Sequence, residues 1–403
     1  MLNPSLALLL SLVVILVLIR LRAPIALGVL AGSALLIAFV IPFGEVPRLL
    51  IETMADKQTW QLLIVVPCTM AFSSLLEQKG LLNRLATTLE HIGPKLAIHA
   101  LPVVIGLVPM PAGALVAATA VNKLSEKLKL TRERIAFTNY WFRHIWEYSL
   151  PFYPAIVVTS TVLGVPIATV VGTLFPMTFV ASVLGIASNY RTMRAVPPAG
   201  NTAREPIKNI LLDLVKTAWP ILLLVVLVFA KVPAWVAFPS VLLVIVLQQQ
   251  PTGTEMKKAL KYAFNPQILL MLLAVMVYQM TAKDSNAASF LIADMKAIGL
   301  PPILMLAGLP LLIGATLGYG AAIAGISLPL LMPYIIDGSG IHTTALLVAS
   351  GSGMIGQMLS PAHLCFCLSV EYFQTTMGKV YRHTLPLLVT MELIIIAVYL
   401  FFN

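Results

Sequence analysis

Charge is scarce in this sequence: Asp, Glu, Lys and Arg supply 10% of its 403 residues, against about 25% in soluble domains. That scarcity excludes an ordinary water-facing surface. Cysteine is rare as well. Cys68, Cys365 and Cys367 all sit in apolar runs, and their number and spacing give neither a disulfide framework nor a metal cluster. No Gly-rich loop ending in Lys-Ser/Thr is present, so nothing in the chain is suited to hydrolysing ATP. No cofactor is expected. Acidic residues number 16 against 26 Lys and Arg, for a net charge of +10. The basic residues fall in short polar segments between apolar runs, where membrane orientation signals lie, so no nucleic-acid partner is expected.

What is abundant is apolar. Hydrophobic residues make up 59% of the chain, and long apolar runs recur from Leu6 to Phe402, each about the 17–25 residues that cross a bilayer. A soluble core of this size cannot hide so many. The expectation is an all-α polytopic membrane protein solvated by lipid. The first run, Leu6–Ile19, has no basic segment before it and no small-residue cleavage site after it, so it reads as a retained span.

Basic residues orient the spans. The stretch Leu96–Val121 is flanked by Lys79, Arg84 and Lys95 on one side and by Lys123, Lys127, Lys129, Arg132 and Arg134 on the other. Both flanks therefore belong in the cytoplasm, which one straight span cannot satisfy. Pro109 and Pro111 also interrupt the helix there, each removing a donor. A re-entrant hairpin, 96–121, with its tip near Pro109–Gly113 solves both problems. Backbone of this kind survives at membrane depth only inside protein or against a wet cavity.

A second hairpin, 302–336, is expected from outside with its tip at Ala315–Ala321. About ten spans and two hairpins then place 20 Lys and Arg inside and 5 outside, with Arg143 inside a span. Both termini are expected outside. The divisions are N-terminal scaffold spans 1–59, a first repeat 60–187, a basic cytoplasmic linker 188–216, scaffold spans 217–264 and a second repeat 265–403. Within the repeats, 135–164 and 342–371 are broken spans, and 166–187 and 384–402 are continuous ones.

The repeat is visible in the letters. Leu101-Pro-Val-Val-Ile-Gly106 matches Leu309-Pro-Leu-Leu-Ile-Gly314, and further on Ile145 and Pro151 match Ile355 and Pro361, at separations of 208 and 210 residues. The two units start from opposite faces. They are read as inverted repeats, the arrangement in which transporter sites form from discontinuous helices at the midplane.

Ionisable groups inside a span are costly and need a reason. Arg143 and Glu147 lie four apart on one helical face and either lock the helix as an ion pair or serve a ligand. In the second case Arg143 or His144 attracts an anion and Glu147 takes the coupling H+ or Na+. Helix breaks free backbone amides with partial positive charge, suited to a carboxylate or phosphate. Candidate binding residues are therefore Ser149 and Pro151 at the first break, and Gln357, Ser360, Pro361 and His363 at the second. The hairpin tips add Pro109, Pro111 and Gly113, and Gly318, Tyr319 and Gly320. Glu371 reads as solvated, and Glu392 as a hydrogen-bond partner for a neighbouring helix.

Met110-Pro-Ala-Gly113 and Ser360-Pro-Ala-His-Leu-Cys365, with Glu371-Tyr-Phe373, resemble the signatures of a ten-span prokaryotic family, domain of unknown function 401. That family resembles the ion-transporter superfamily of gluconate, C4-dicarboxylate, citrate and lactate permeases. The resemblance implies inverted repeats, an elevator-type architecture, a homodimer, a prokaryotic cytoplasmic (inner) membrane and an organic anion as substrate. Carboxylate carriers of that superfamily often place Asn or Ser-Asn-Thr at the hairpin tips. Here the tips read Pro-Met-Pro-Ala-Gly and Gly-Tyr-Gly-Ala.

The leading expectation is an ion-coupled permease for a small organic anion. A Na+/H+-type cation antiporter using Glu147 is the alternative. An intramembrane enzyme built on His144 and Glu147 is remote, because His-x-x-Glu alone is a weak pattern and no third ligand lies near in sequence.

Overall fold

The computed structural model describes the chain except residues 1–2, 22, 82–83, 85–93, 108–113, 115–116, 119–120, 123, 125–127 and 196–206. The expected tip of the first hairpin, with Pro109, Pro111 and Gly113, lies outside the described residues. What is described is almost wholly helical.

Helices α1 (Pro4–Arg20) and α2 (Ile25–Val40) pair at the start, followed by α3 (Val46–Ala55). Helix α4 (Lys57–Gln78) begins at Asp56, whose carboxylate accepts from the amides of Gln58 and Thr59 at 2.9 and 3.2 Å, satisfying donors that an uncapped helix start leaves open. Next come α5 (Pro94–Ile105), α6 (Arg132–His144), a 3-10 turn (Ile145–Tyr148), α7 (Pro154–Leu163) and α8 (Ile167–Ala195). The middle of the chain forms α9 (Ile207–Phe229), α10 (Ala234–Gln249) and α11 (Gly253–Ala263). The last part holds α12 (Pro266–Asp284), α13 (Ala287–Ala297), α14 (Pro302–Leu317) and α15 (Gly320–Ile335). A two-residue antiparallel ladder, β1 (Ile336–Asp337) with β2 (Gly340–Ile341), leads into α16 (Thr343–Leu359), α17 (Leu364–Tyr372) and α18 (Met377–Phe402). Proline opens α1, α7, α12 and α14, where its missing N–H costs nothing.

The helix starts recur. Lys57 and Pro266, Pro94 and Pro302, Arg132 and Thr343, Pro154 and Leu364, and Ile167 and Met377 begin helices 208 to 211 residues apart. Packing recurs with them. A side chain on Gly106 would collide with the Arg143 carbonyl, and one on Gly314 with the Gly353 carbonyl. In both places helix backbones touch directly, which only small residues allow.

The outside of the molecule is apolar. On α8, Phe175, Phe179, Val183, Ile186 and Tyr190 form an exposed stripe at helical spacing, while Val170, Leu174, Met177 and Ala181 on the other face are buried. An uncovered stripe of this kind suits lipid rather than water. Five helical stretches, Lys57–Gln78, Ile167–Tyr190, Gly253–Asp284, Thr343–Tyr372 and Met377–Phe402, are long and apolar enough to cross a bilayer, and shorter apolar helices accompany them. This is a multi-pass membrane protein.

Helices continue further than the sequence reading allowed. Helix α8 runs to Ala195 and α9 starts at Ile207, so both extend into 188–216, the segment expected as a linker. Hydropathy marks only the apolar centre of a helix, whereas its hydrogen-bond ladder continues into the polar flank. Helices α3, α11 and α13 occupy segments expected as connections. Glu371 is exposed, and Glu392 accepts from the Ser352 hydroxyl at 2.7 Å.

Candidate functional site

Three interruptions of helical backbone face one another. Between α6 and α7, Pro151 and Pro154 prevent a continuous ladder. Between α14 and α15, Gly318 takes φ +63°, a left-handed turn that favours glycine, and the extended Tyr319 follows. Between α16 and α17, Ser360 and Pro361 stop the helix, and the Ser360 hydroxyl accepts from the Ala362 amide at 3.2 Å. The gap they leave is a cavity of about 240 Å³.

The first turns of α7 (Pro154, Ala155), α15 (Gly320, Ala321) and α17 (Leu364, Cys365) all line it. Each helix start carries partial positive charge and amides without intrahelical partners. Arg143 lines the same space and is itself 2% exposed. Its guanidinium lies 3.9 Å from the Glu147 carboxylate, whose other oxygen accepts from the Gln357 side-chain amide at 2.6 Å. Glu147 and Gln357 are 210 residues apart, the same separation as Pro151 and Pro361. His363 also lines the cavity, and its Nε2 lies 3.0 Å from Nε2 of His144 behind it.

Of the residues singled out from sequence, Arg143, Glu147, Gly318, Tyr319, Gly320, Gln357 and His363 meet around the cavity. His144 touches it through His363. Four others are placed elsewhere. Ser149 is buried and its hydroxyl bonds to that of Thr178 at 2.7 Å, so it is satisfied within the protein. Pro151 is buried beside it, Ser360 is fully buried in its turn, and Pro361 is exposed; none of them lines the cavity. A residue that breaks a helix need not face what the break exposes.

Thr69, Tyr153, Tyr262, Met354 and Cys365 also line it without having been singled out. For Tyr153 a signal existed: it precedes His363 by the same 210 residues that separate Pro151 from Pro361. Each of the two reaches backbone at or just past a helix end, Tyr153 donating to the Gly106 carbonyl and His363 Nδ1 bonding the Gly318 carbonyl.

The apolar helices and the cavity between their interruptions define an all-α multi-pass membrane protein with a candidate internal site. The chain belongs to the family described as "Protein of unknown function (DUF401)", which matches residues 3–401. Among solved structures it is similar to the Alcanivorax borkumensis YdaH transporter, with a TM-score of 0.61 at 13% identity over 99% of this chain and 98% of that one. The two share a fold. No curated protein matches the chain.

Proposed function

We propose that the chain is an ion-coupled secondary transporter for a small organic anion, with the cavity beside Arg143 as its binding site. One observation carries the reading: three helix N-termini and a buried guanidinium converge on the same cavity. Such a site favours a carboxylate or phosphate over a cation or neutral solute. The YdaH protein, described as a transporter, lends further support through its shared fold.

Two inverted repeats, 60–187 and 265–403, belong to the same proposal. The recurring helix starts support the repeat, and so does the meeting of Glu147 with Gln357 at the separation of the repeat. Ligand release would follow from movement of the hairpins and broken helices as one unit. That elevator-type step, a homodimeric assembly and the prokaryotic inner membrane rest on the resemblance to the ion-transporter superfamily.

Uptake by proteoliposomes tests the proposal. A panel of labelled mono- and dicarboxylates is offered under an imposed H+ or Na+ gradient. Accumulation of at least one anion, lost when the gradient is collapsed, is the expected result. Absence of gradient-driven flux for every anion contradicts it.

The presence of Glu147 in the cavity favours one second reading, a cation antiporter. Proton movement on adding Na+ without any anion, abolished by Glu147→Gln, would select that reading.

A further inference from the structure

Two histidines meet in an arrangement that helix packing alone does not explain. His144 Nδ1 lies 2.5 Å from the Tyr140 carbonyl oxygen, and His363 Nδ1 lies 2.7 Å from that of Gly318. A carbonyl only accepts, so each Nδ1 carries the proton. In neutral imidazole the other nitrogen is then a bare lone pair. Those two nitrogens, both Nε2, face each other at 3.0 Å in residues 1% and 7% exposed. Two lone pairs pointed together in a buried site repel unless a cation stands between them.

Cys365 supplies a third donor. One ring nitrogen of each histidine and Cys365 Sγ all lie within 4.8 Å of one another. We propose that His144, His363 and Cys365 hold a divalent metal ion of borderline softness, of the zinc or cobalt class. Imidazole and thiolate are the ligands such ions prefer. Metal-bound histidines characteristically donate their other ring N–H to a carbonyl or carboxylate, as both do here. Metal–nitrogen bonds of about 2.0–2.1 Å in a tetrahedron set the nitrogens roughly 3.3 Å apart, a few tenths of an ångström beyond the present spacing.

The fourth position points to the cavity. Glu147 lies 3.7 Å from His144 Nε2, and His363, Cys365 and Glu147 all line that space. A thiolate and a carboxylate against the metal and Arg143 leave one positive charge among these groups, which suits an anion in the cavity. The site does not depend on the transport reading, because occupancy by a metal is measurable without any flux.

The full chain, purified in detergent and stripped with a chelator, is titrated with Co2+. The expected result is one ion per chain with a thiolate-to-cobalt charge-transfer band. That band vanishes in Cys365→Ser and persists in Cys68→Ser and Cys367→Ser. His144→Asn and His363→Asn weaken binding by more than about 10-fold, since losing even a hydrogen-bond partner of a ligand costs about 10–100-fold. Coincident melting curves for Cys365→Ser and the parent confirm an intact fold, so the result stands even where a histidine variant fails to fold. Folded parent protein that binds no cobalt overturns the proposal, and a proton shared between the rings would give that outcome. A charge-transfer band unchanged in Cys365→Ser overturns it equally.

Discussion

Arg143 is the one Lys or Arg among the described residues that lines the cavity. A hydrogen bond to a charged group contributes about 1.5–3 kcal/mol, so Arg143→Gln should weaken anion binding by roughly 10–100-fold. Ligand-dependent melting of the two proteins measures this, and equal affinities would remove Arg143 from the site. Gly318 is a second point of leverage. At φ +63° a side chain is strained, and a Cβ there would also press on the His363 backbone. Gly318→Ala should therefore cost about 1–2 kcal/mol and lower the melting temperature in detergent. Both residues were legible in the sequence, for physical reasons. A charged residue inside an apolar span and a Gly-x-Gly between two apolar runs stand out against a background selected for lipid. Thr69, Tyr262 and Met354 do not, because their chemistry is ordinary and only tertiary contact brings them to the cavity. Cys365 was set aside because metal ligands are sought by spacing, and here the nearest histidine ligand on another helix lies 221 residues earlier, at His144.

At the scale of elements, direct backbone contact between α14 and α16 limits what their faces can carry. Gly314 sits against the Gly353 carbonyl, whereas Gly308 on the same helix has open space around it. Gly314→Val should destabilise by at least the roughly 1–3 kcal/mol of an overpacked core. Gly308→Ala should be neutral or stabilising by up to about 1 kcal/mol, since alanine favours helix. Melting curves that rank the two variants the other way would refute the packing.

The turn after α15 gives a pH prediction. The Asp337 carboxylate accepts from Ser339 N and Oγ at 2.7 and 2.6 Å and meets His342 Nε2 at 2.8 Å. The Ser339 side chain, then His342, hold its carboxyl well below the ordinary range. A depressed value in the folded protein means the contribution is present above the unfolded value and is lost as pH falls through the folded one. Protection of 336–342 against hydrogen exchange, corrected for intrinsic rate, should persist through the ordinary carboxylate range and fall only below it. Asp337→Asn should lose it already at neutral pH. The breaks at 318–319 and 360–363 were readable because proline and glycine punctuate helices. The extents of α8 and α9 were not, because polar flanks carry no hydropathy signal.

For the whole molecule, the inverted-repeat proposal predicts that positions 95 and 123 face the same side of the membrane. In a background with Cys68, Cys365 and Cys367 replaced, cysteines at the two positions should react with an impermeant reagent from one side, the cytoplasmic one. Labelling from opposite sides would turn the hairpin into a span. The all-α membrane class was legible because apolar run length records a whole-chain property. Which side chains share one cavity depends on how the units fold together, and no local pattern states that. The central claim is that this cavity receives an anion, and binding tests it most directly. The purified protein is melted against increasing concentrations of carboxylates and phosphates, a ligand for the folded state raising the transition with concentration. At least one anion should raise the parent's transition progressively and leave Arg143→Gln close to its unliganded value. No shift with any anion, or the same shift in both proteins, would contradict it.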